Sequence, residues 1–337
     1  MKKEKRQPKM QNFENAVLAT LAYGDALAMP LTAMEVWRGL IRVPIDAAQG
    51  KQGTGDGTKN VSDFSEIFQI LQSLKEAGKI SEQWGFYVLP GRETLVKERL
   101  WRMRVADEKW KKLLRVACWM RFVPFLRAVF VTGSLALNNT RKDSDYDVLL
   151  VAAPGRIFTV RAFAAFFLKM LGVYRSDACV ADHVCPNHYV TEQSLAIPFR
   201  SLYTAHIFAT CVCVWSIDTG MAERFLRENS WIGEYWQNVT VLLQESPRTI
   251  RDAWYAKRVR RMFELVLRTP PGSLFEKTMR ALQLAKIRAN PKTKSPGAGH
   301  IVANDEMLAF HPNSPEKGTL EKYKKNLALQ GIGLLDS

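Results

Sequence analysis

Apolar residues recur at helical spacing in the first part of the chain, and a short alternating stretch follows them. The spacing predicts three helices, Glu14–Ala28, Thr32–Leu40 and Ser62–Ala77. Thr32, with Glu35 three residues later, has the pattern of a helix N-cap. The Gly-rich stretch 49–60 predicts a flexible loop, and the alternation over Ile80–Leu89 predicts a hairpin that bends at Trp84-Gly85. Residues 1–13 are expected to form a disordered basic tail.

Three helices followed by a two-stranded hairpin resemble a winged helix-turn-helix over residues 14–92. The resemblance implies nucleic-acid binding through Ser62–Ala77, or a module used for protein contacts or packing. That helix carries Asp63, Glu66 and Glu76 against a single Lys75, so it offers a poor surface for phosphates.

The middle of the chain, residues 93–200, alternates between helical and strand patterns. A long basic helix is predicted over Arg92–Arg121, with strands and a Phe-rich helix after it. The predicted elements are strand Leu126–Val131, strand Asp145–Val151, helix Ile157–Leu171 and strand Val184–Val190. We expect these elements to form a small mixed sheet with helices packed against it.

Residues 201–337 read as a mostly helical region. The predicted helices are Leu202–Trp215, Ala222–Asn229, Trp231–Leu243, Arg248–Arg268, Ser273–Ile287, Asn304–Phe310 and Thr319–Gln330. His206 lies on the first of them, and burial without a catalytic role is expected for it. The fold class predicted for the whole chain is α+β.

The composition of the chain limits the kinds of binding partner that are expected for it. The chain has 337 residues, 47% of them hydrophobic, and a formal net charge of +15, which favours nucleic acid, nucleotides or another polyanion. The sequence contains no secretory signal and no apolar run long enough to span a membrane, so no membrane partner is expected. Five unpatterned cysteines favour a reduced, cytoplasmic setting. The group Cys179, His183, Cys185 and His188 suggests zinc, but its spacing does not match a zinc knuckle, and ordinary burial is favoured.

The most informative stretch is 130–151, which contains Gly133-Ser134 and, downstream, Asp145 and Asp147. Two carboxylates at i and i+2 of a strand share a face and repel unless a cation lies between them. A strand that ends in Gly-Ser before a helix presents backbone N–H groups to a phosphate. The pattern therefore predicts a divalent-metal and phosphate site.

Gly-Ser, a spacer and then Ser-Asp-x-Asp before an apolar strand resembles the nucleotidyltransferase superfamily, the DNA polymerase beta-like fold. The chain also resembles uncharacterised prokaryotic proteins with this domain behind a winged helix. The resemblance implies that Gly133, Ser134 and Ser144 bind the nucleotide, and that Asp145 and Asp147 hold Mg²⁺ (or Mn²⁺) and are catalytic.

Superfamily members often have a third carboxylate on a later strand, where it serves as general base. The aligned position here is Asn187, which can ligate a metal but cannot take a proton at neutral pH. Asp182, Asp177 and Glu192 are alternatives that spacing alone does not place.

The predicted function is metal-dependent transfer of an NMP unit from an NTP to RNA, protein or a small molecule. The alternative is a regulator that binds nucleic acid, tRNA or DNA, and whose nucleotidyltransferase unit is degenerate and only senses nucleotide. A toxin- or antitoxin-like module that modifies tRNA or a protein fits the same residues.

Overall fold

The computed structural model describes residues 6–42, 63–239, 248–291, 300–311 and 314–332, with side chains from residue 12 onward. The N-terminal elements are α1 (Arg6–Ala26), β1 (Leu31–Thr32), α2 (Ala33–Arg38), α3 (Phe64–Glu76), β2 (Ser81–Gln83) and β3 (Phe86–Val88). The strands form an antiparallel sheet of order β1-β3-β2. The predicted helices and hairpin are confirmed, and β1 is an additional strand. The predicted loop 49–60 lies outside the described residues.

The N-terminal tail is helical over residues 6–13, where disorder was expected. α1 begins at Arg6, and the Gln, Lys and Met residues of this stretch favour helix and extend the buried part of α1 by two turns. Pro8 lies in the first turn, where proline is tolerated.

The predicted cap of α2 is confirmed in detail. Thr32 Oγ1 accepts a hydrogen bond from the Glu35 N–H at 3.3 Å, and Glu35 Oε2 accepts one from the Thr32 N–H at 2.8 Å. This reciprocal arrangement satisfies two N–H groups that the first turn leaves unpaired. At α3 the cap is Asp63, whose Oδ1 accepts from the Ser65 N–H at 3.1 Å.

Strands from two regions of the chain build the larger sheet. Its central elements are α4 (Thr94–Met120), β4 (Leu126–Val131), α5 (Gly133–Ala136), β5 (Tyr146–Ala152), α6 (Ile157–Met170) and β6 (Val184–Thr191). The following elements are α7 (Leu202–Ala209), β7 (Val212–Ser216), α8 (Met221–Glu228), a 3₁₀ helix (Ser230–Glu234), α9 (Trp254–Leu267), α10 (Pro270–Ala289), β8 (Ile301–Ala303), β9 (Met307–Phe310) and α11 (Glu316–Leu329). The six strands run in the order β7-β4-β5-β6-β9-β8, and only β5 and β6 pair in parallel. The fold class, mixed α+β, is as predicted.

Two of the helices predicted for the mostly helical C-terminal region are wrong. The helix expected over Leu202–Trp215 ends at Ala209, and Val212–Ser216 pairs with β4 instead. The helix expected over Asn304–Phe310 is a strand at Met307–Phe310, paired with β6. A short apolar run can form either a helix or a strand. These two runs form strands because β4 and β6 offer unpaired backbone groups with which they can pair. Of the helix predicted over Trp231–Leu243, the structure shows a 3₁₀ turn at Ser230–Glu234, and residues 240–243 lie outside the described part.

Both faces of the larger sheet are buried. On one face, side chains such as Phe130, Leu149 and Val151 join a core with the N-terminal helices, α7, α8 and α11. On the other, Val131, Tyr146 and their alternate neighbours pack against α4, α6 and α10. Since side chains alternate along a strand, Asp147 shares the face of Leu149 and Val151. None of the helices in the described part combines the length and apolar character needed to cross a membrane.

Candidate functional site

Gly133 forms the sharp turn between β4 and α5. Its φ is +68°, a left-handed conformation that favours glycine. A Cβ at this position would lie 3.0 Å from Asp147 Oδ2, so the backbone comes as close to the carboxylate as a residue without a side chain allows. The Thr132 N–H donates to the Asp147 carbonyl at 3.0 Å, which holds this turn on β5. The predicted Gly-Ser turn and Asp147 are therefore in contact.

Ser134 follows in the first turn of α5. Its hydroxyl has no hydrogen-bond partner among the described residues, and the first N–H groups of a helix have no partner within it.

Ser144 has its hydrogen-bond partners in a different part of the chain: its Oγ accepts from the Arg141 N–H at 3.3 Å, and its carbonyl accepts from Lys109 Nζ at 2.8 Å. These contacts fix the turn before β5, and the structure assigns the Ser144 side chain to that turn.

Asp145 directly precedes β5 and Asp147 is the second residue of that strand, and a third group joins them. The ligand atoms of Asp145, Asp147 and Cys185 all lie within 4.8 Å of one another. Cys185 is the register partner of Asp147 on the parallel strand β6. The four-residue zinc group considered from sequence is not assembled among the described residues: Cys179 is exposed, and His188 packs against Phe208 and His311.

Asn187 reaches the site through an irregularity in β6. Asp147 pairs with Cys185 and Leu149 with His188, so three steps along β6 match two along β5. Such a bulge re-aims side chains, and here the Asn187 amide Nδ2 donates to Asp147 Oδ1 at 2.9 Å. The aligned third position is thus next to Asp147, as predicted, but it acts as a hydrogen-bond donor.

Asp182, the other third-position candidate, is engaged elsewhere. It forms ion pairs with Lys109 at 2.7 Å and Lys112 at 2.5 Å, and it accepts from the Tyr146 hydroxyl at 2.9 Å. The Tyr146 side chain lies on the opposite face of β5 from Asp147. Although partial burial opposes it, hydrogen bonding from Lys109, Lys112 and Tyr146 lowers the pKa of Asp182 to about 2. Glu192 lies near Arg127 and Arg224, at 3.7 and 4.0 Å.

The negative charge of Asp145 and Asp147 is only partly compensated by nearby positive charge. Burial, and then the charge of Asp145, raise the pKa of Asp147 to about 7. Burial, and then the same two carboxylates, raise the pKa of the Cys185 thiol to about 12. Arg175 supplies the nearest opposite charge, with its Nε 2.9 Å from Asp145 Oδ2. A group of acids that disfavours its own ionised form is suited to a cation.

Arg175 and Cys185 are the two site residues that sequence reasoning did not place. Cys185 is two residues before Asn187, and the position assigned to Asn187 could have suggested it. Arg175 lies in the connection between α6 and β6, where no periodic pattern positions a side chain.

A cavity of about 730 Å³ in the described structure is separate from the carboxylates. It lies between the N-terminal helices and the sheet. Tyr23, His206 and Trp236 form an aromatic wall, and Leu137 and Asn138 from the end of α5 also line it. His206 is buried, as predicted, and burial lowers its pKa to about 4.

No protein-family model, curated protein or solved structure matches this chain.

Proposed function

We propose that the chain is a metal-dependent nucleotidyltransferase that moves an NMP unit from an NTP to an acceptor hydroxyl group and releases pyrophosphate. The observation that supports it best is the contact between the Gly133 turn and Asp147, with Asp145 in the same cluster. A sharp glycine turn at the start of a helix, next to paired carboxylates, suits a triphosphate bound with a divalent cation.

The donor set fits a divalent cation, because Asp145 and Asp147 offer carboxylate oxygens from one face of one strand. A cation bound there supplies charge neutralisation at the phosphates. The chain contributes the rest. The Gly133 turn lets the backbone approach the phosphate oxygens, the Ser134 hydroxyl donates to them, and Asn187 holds the orientation of Asp147 through its hydrogen bond.

We further propose that the N-terminal elements form a winged helix. Their order and the β1-β3-β2 sheet, with the β2–β3 hairpin as the wing, support this. The α3 surface does not favour phosphate binding, because Lys75 is paired with Glu82 at 2.8 Å. Contacts also link this module to α5. Arg99 on α4 donates to the Leu137 carbonyl at 3.0 Å and to Glu35 Oε1 at 2.8 Å, so the module supports the site structurally.

One observation favours a second candidate, a protein that binds nucleotide without transferring it. In the resemblance to the superfamily, Asn187 aligns with the proton-accepting carboxylate, and among the described residues no third carboxylate belongs to the cluster. In that case the cation and the NTP would bind, but label would not be transferred.

The test compares three Asp→Asn variants for transfer of label from each α-labelled NTP to RNA, to protein and to the chain itself. Asp145→Asn and Asp147→Asn should reduce transfer by at least about a hundredfold, the scale of lost electrostatic stabilisation. Asp143→Asn is the matched control, since Asp143 is exposed and pairs with Arg141 at 2.8 Å. Transfer that persists in both site variants contradicts the proposal. Cation-dependent NTP binding without transfer supports the second candidate.

A further inference from the structure

We infer that Cys185 is the third protein ligand of the cation site, and that the site prefers a divalent cation that accepts sulfur, such as Co²⁺ or Zn²⁺, over Mg²⁺. The inference rests on the proposed function only for the existence of a cation site.

The position of Cys185 is set by the sheet. Parallel pairing places it directly beside Asp147, with the donor atoms of Asp145, Asp147 and Cys185 within 4.8 Å of one another. Neighbouring ligands of a tetrahedral cation site, at about 2.0–2.3 Å from the ion, lie about 3.3–3.8 Å apart. The three donor atoms must therefore move closer together by about 1 Å at most, which side-chain rotations can supply.

The hydrogen bond of Asn187 removes the competing candidate. Its Nδ2 donates to Asp147 Oδ1 at 2.9 Å, so the amide acts on a ligand from outside the coordination sphere. Carboxylates that bind metals are commonly oriented by such partners. With Asp182 paired to Lys109 and Lys112, Cys185 is the third metal-binding side chain that the described residues bring to the two carboxylates.

Donor chemistry then indicates the kind of cation. Carboxylates suit Mg²⁺ and Mn²⁺, whereas thiolate favours softer ions. Two oxygens and one sulfur form a mixed set that suits borderline cations. The thiol proton is released to solvent when the sulfur–metal bond forms.

Co²⁺ is the probe, because a sulfur–cobalt bond gives a charge-transfer absorption band in the near ultraviolet. Reduced full-length protein titrated with Co²⁺ should show this band. Cys185→Ser should lose the band and bind Co²⁺ at least about tenfold more weakly, while its Mg²⁺ affinity changes little. Cys179→Ser is the matched control, since Cys179 is exposed and outside the cluster, and it should keep the band. Circular dichroism verifies that each variant is folded.

The outcomes separate this inference from the proposed function. Co²⁺ binding that depends on Asp147 but shows no sulfur band in the parent protein overturns the role of Cys185 and leaves the transferase proposal intact. A sulfur band without any nucleotide transfer supports Cys185 and contradicts the transferase. Failure to bind Co²⁺ at all overturns the inference, and Mg²⁺-dependent transfer would then stand alone.

Discussion

Gly133 meets two requirements at once, a left-handed backbone and the absence of a side chain. Gly155 meets only the first, since its φ is +65° and nothing lies within 4 Å of a Cβ built there. Substitutions at Gly133 and Gly155 can therefore distinguish the effect of backbone strain from the effect of crowding next to Asp147.

Alanine at each of the two positions provides the test. A non-glycine residue in this conformation costs about 1–2 kcal/mol of stability, so urea denaturation should show a similar loss for Gly133→Ala and Gly155→Ala. Only Gly133→Ala places a methyl group 3.0 Å from Asp147 Oδ2, so only this variant should also lose Co²⁺ binding and nucleotide transfer, by about tenfold or more. Equal functional losses in both variants would show that the contact with Asp147 is unimportant.

At the scale of elements, one ion pair links the N-terminal module to α4 and α5. Arg99 has a side-chain exposure of 1% and Glu35 of 35%. Burial lowers the pKa of Arg99, and the charge and hydrogen bond of Glu35 oppose that shift. Loss of the Glu35 charge would leave a buried guanidinium without a counter-charge, which is costly.

Glu35→Gln is expected to lower the free energy of unfolding by about 2 kcal/mol, below the full cost of breaking a buried pair because Glu35 is partly exposed. Glu82→Gln is the matched control: it also breaks an ion pair of the module, but Lys75 is 43% exposed there, so a clearly smaller loss is expected. Adding Arg99→Met to Glu35→Gln should recover part of the loss, because it removes the unpaired charge. Equal costs for the two Glu→Gln variants would contradict this view of α4.

Sequence patterns predicted the elements that carry their own local signals. The cap at Thr32, the hairpin bend at Trp84-Gly85 and the Gly133 turn all depend on residues close together in the chain. The strands Val212–Ser216 and Met307–Phe310 were not predicted, because their partners lie on β4 and β6, distant in sequence. The proximity of Cys185 to Asp147 was not predicted for the same reason, because it depends on parallel pairing. Even the direction of the Asn187 side chain depends on a bulge that spacing does not reveal.

At the scale of the whole molecule, histidine burial sets the response to acid. Burial lowers the pKa of His188 to about 3, and burial followed by the charge of His300 lowers that of His311 to about 4; His206 is similarly shifted. In the unfolded chain a histidine titrates near 6.5. Between about pH 6.5 and pH 4 the unfolded state therefore binds more protons than the native state, and stability falls as the pH falls.

We expect urea unfolding at pH 5 to show a lower free energy than at pH 7, by about 2 kcal/mol for each buried histidine. Asp147 acts in the opposite direction, because its raised pKa makes the native state bind a proton first as the pH falls, but it is one group against three. His206→Phe keeps an aromatic ring beside Trp236 and should remove about 2 kcal/mol of the acid loss. A pH-independent free energy would contradict the buried neutral state of these side chains.

The last helix of the described structure, α11, packs against α1. Asn326 Nδ2 donates to the Ala22 carbonyl and to Asp25 Oδ2, both at 3.0 Å, across more than 300 residues of chain. Tyr23 and Tyr323 meet edge to face at 5.4 Å. During synthesis, α1 leaves the ribosome long before α11 has been translated. The part of its apolar surface that packs against α11 is exposed to solvent until then. Contacts of such long sequence separation slow folding, so the emerging chain should depend on chaperones until residue 326 has been translated.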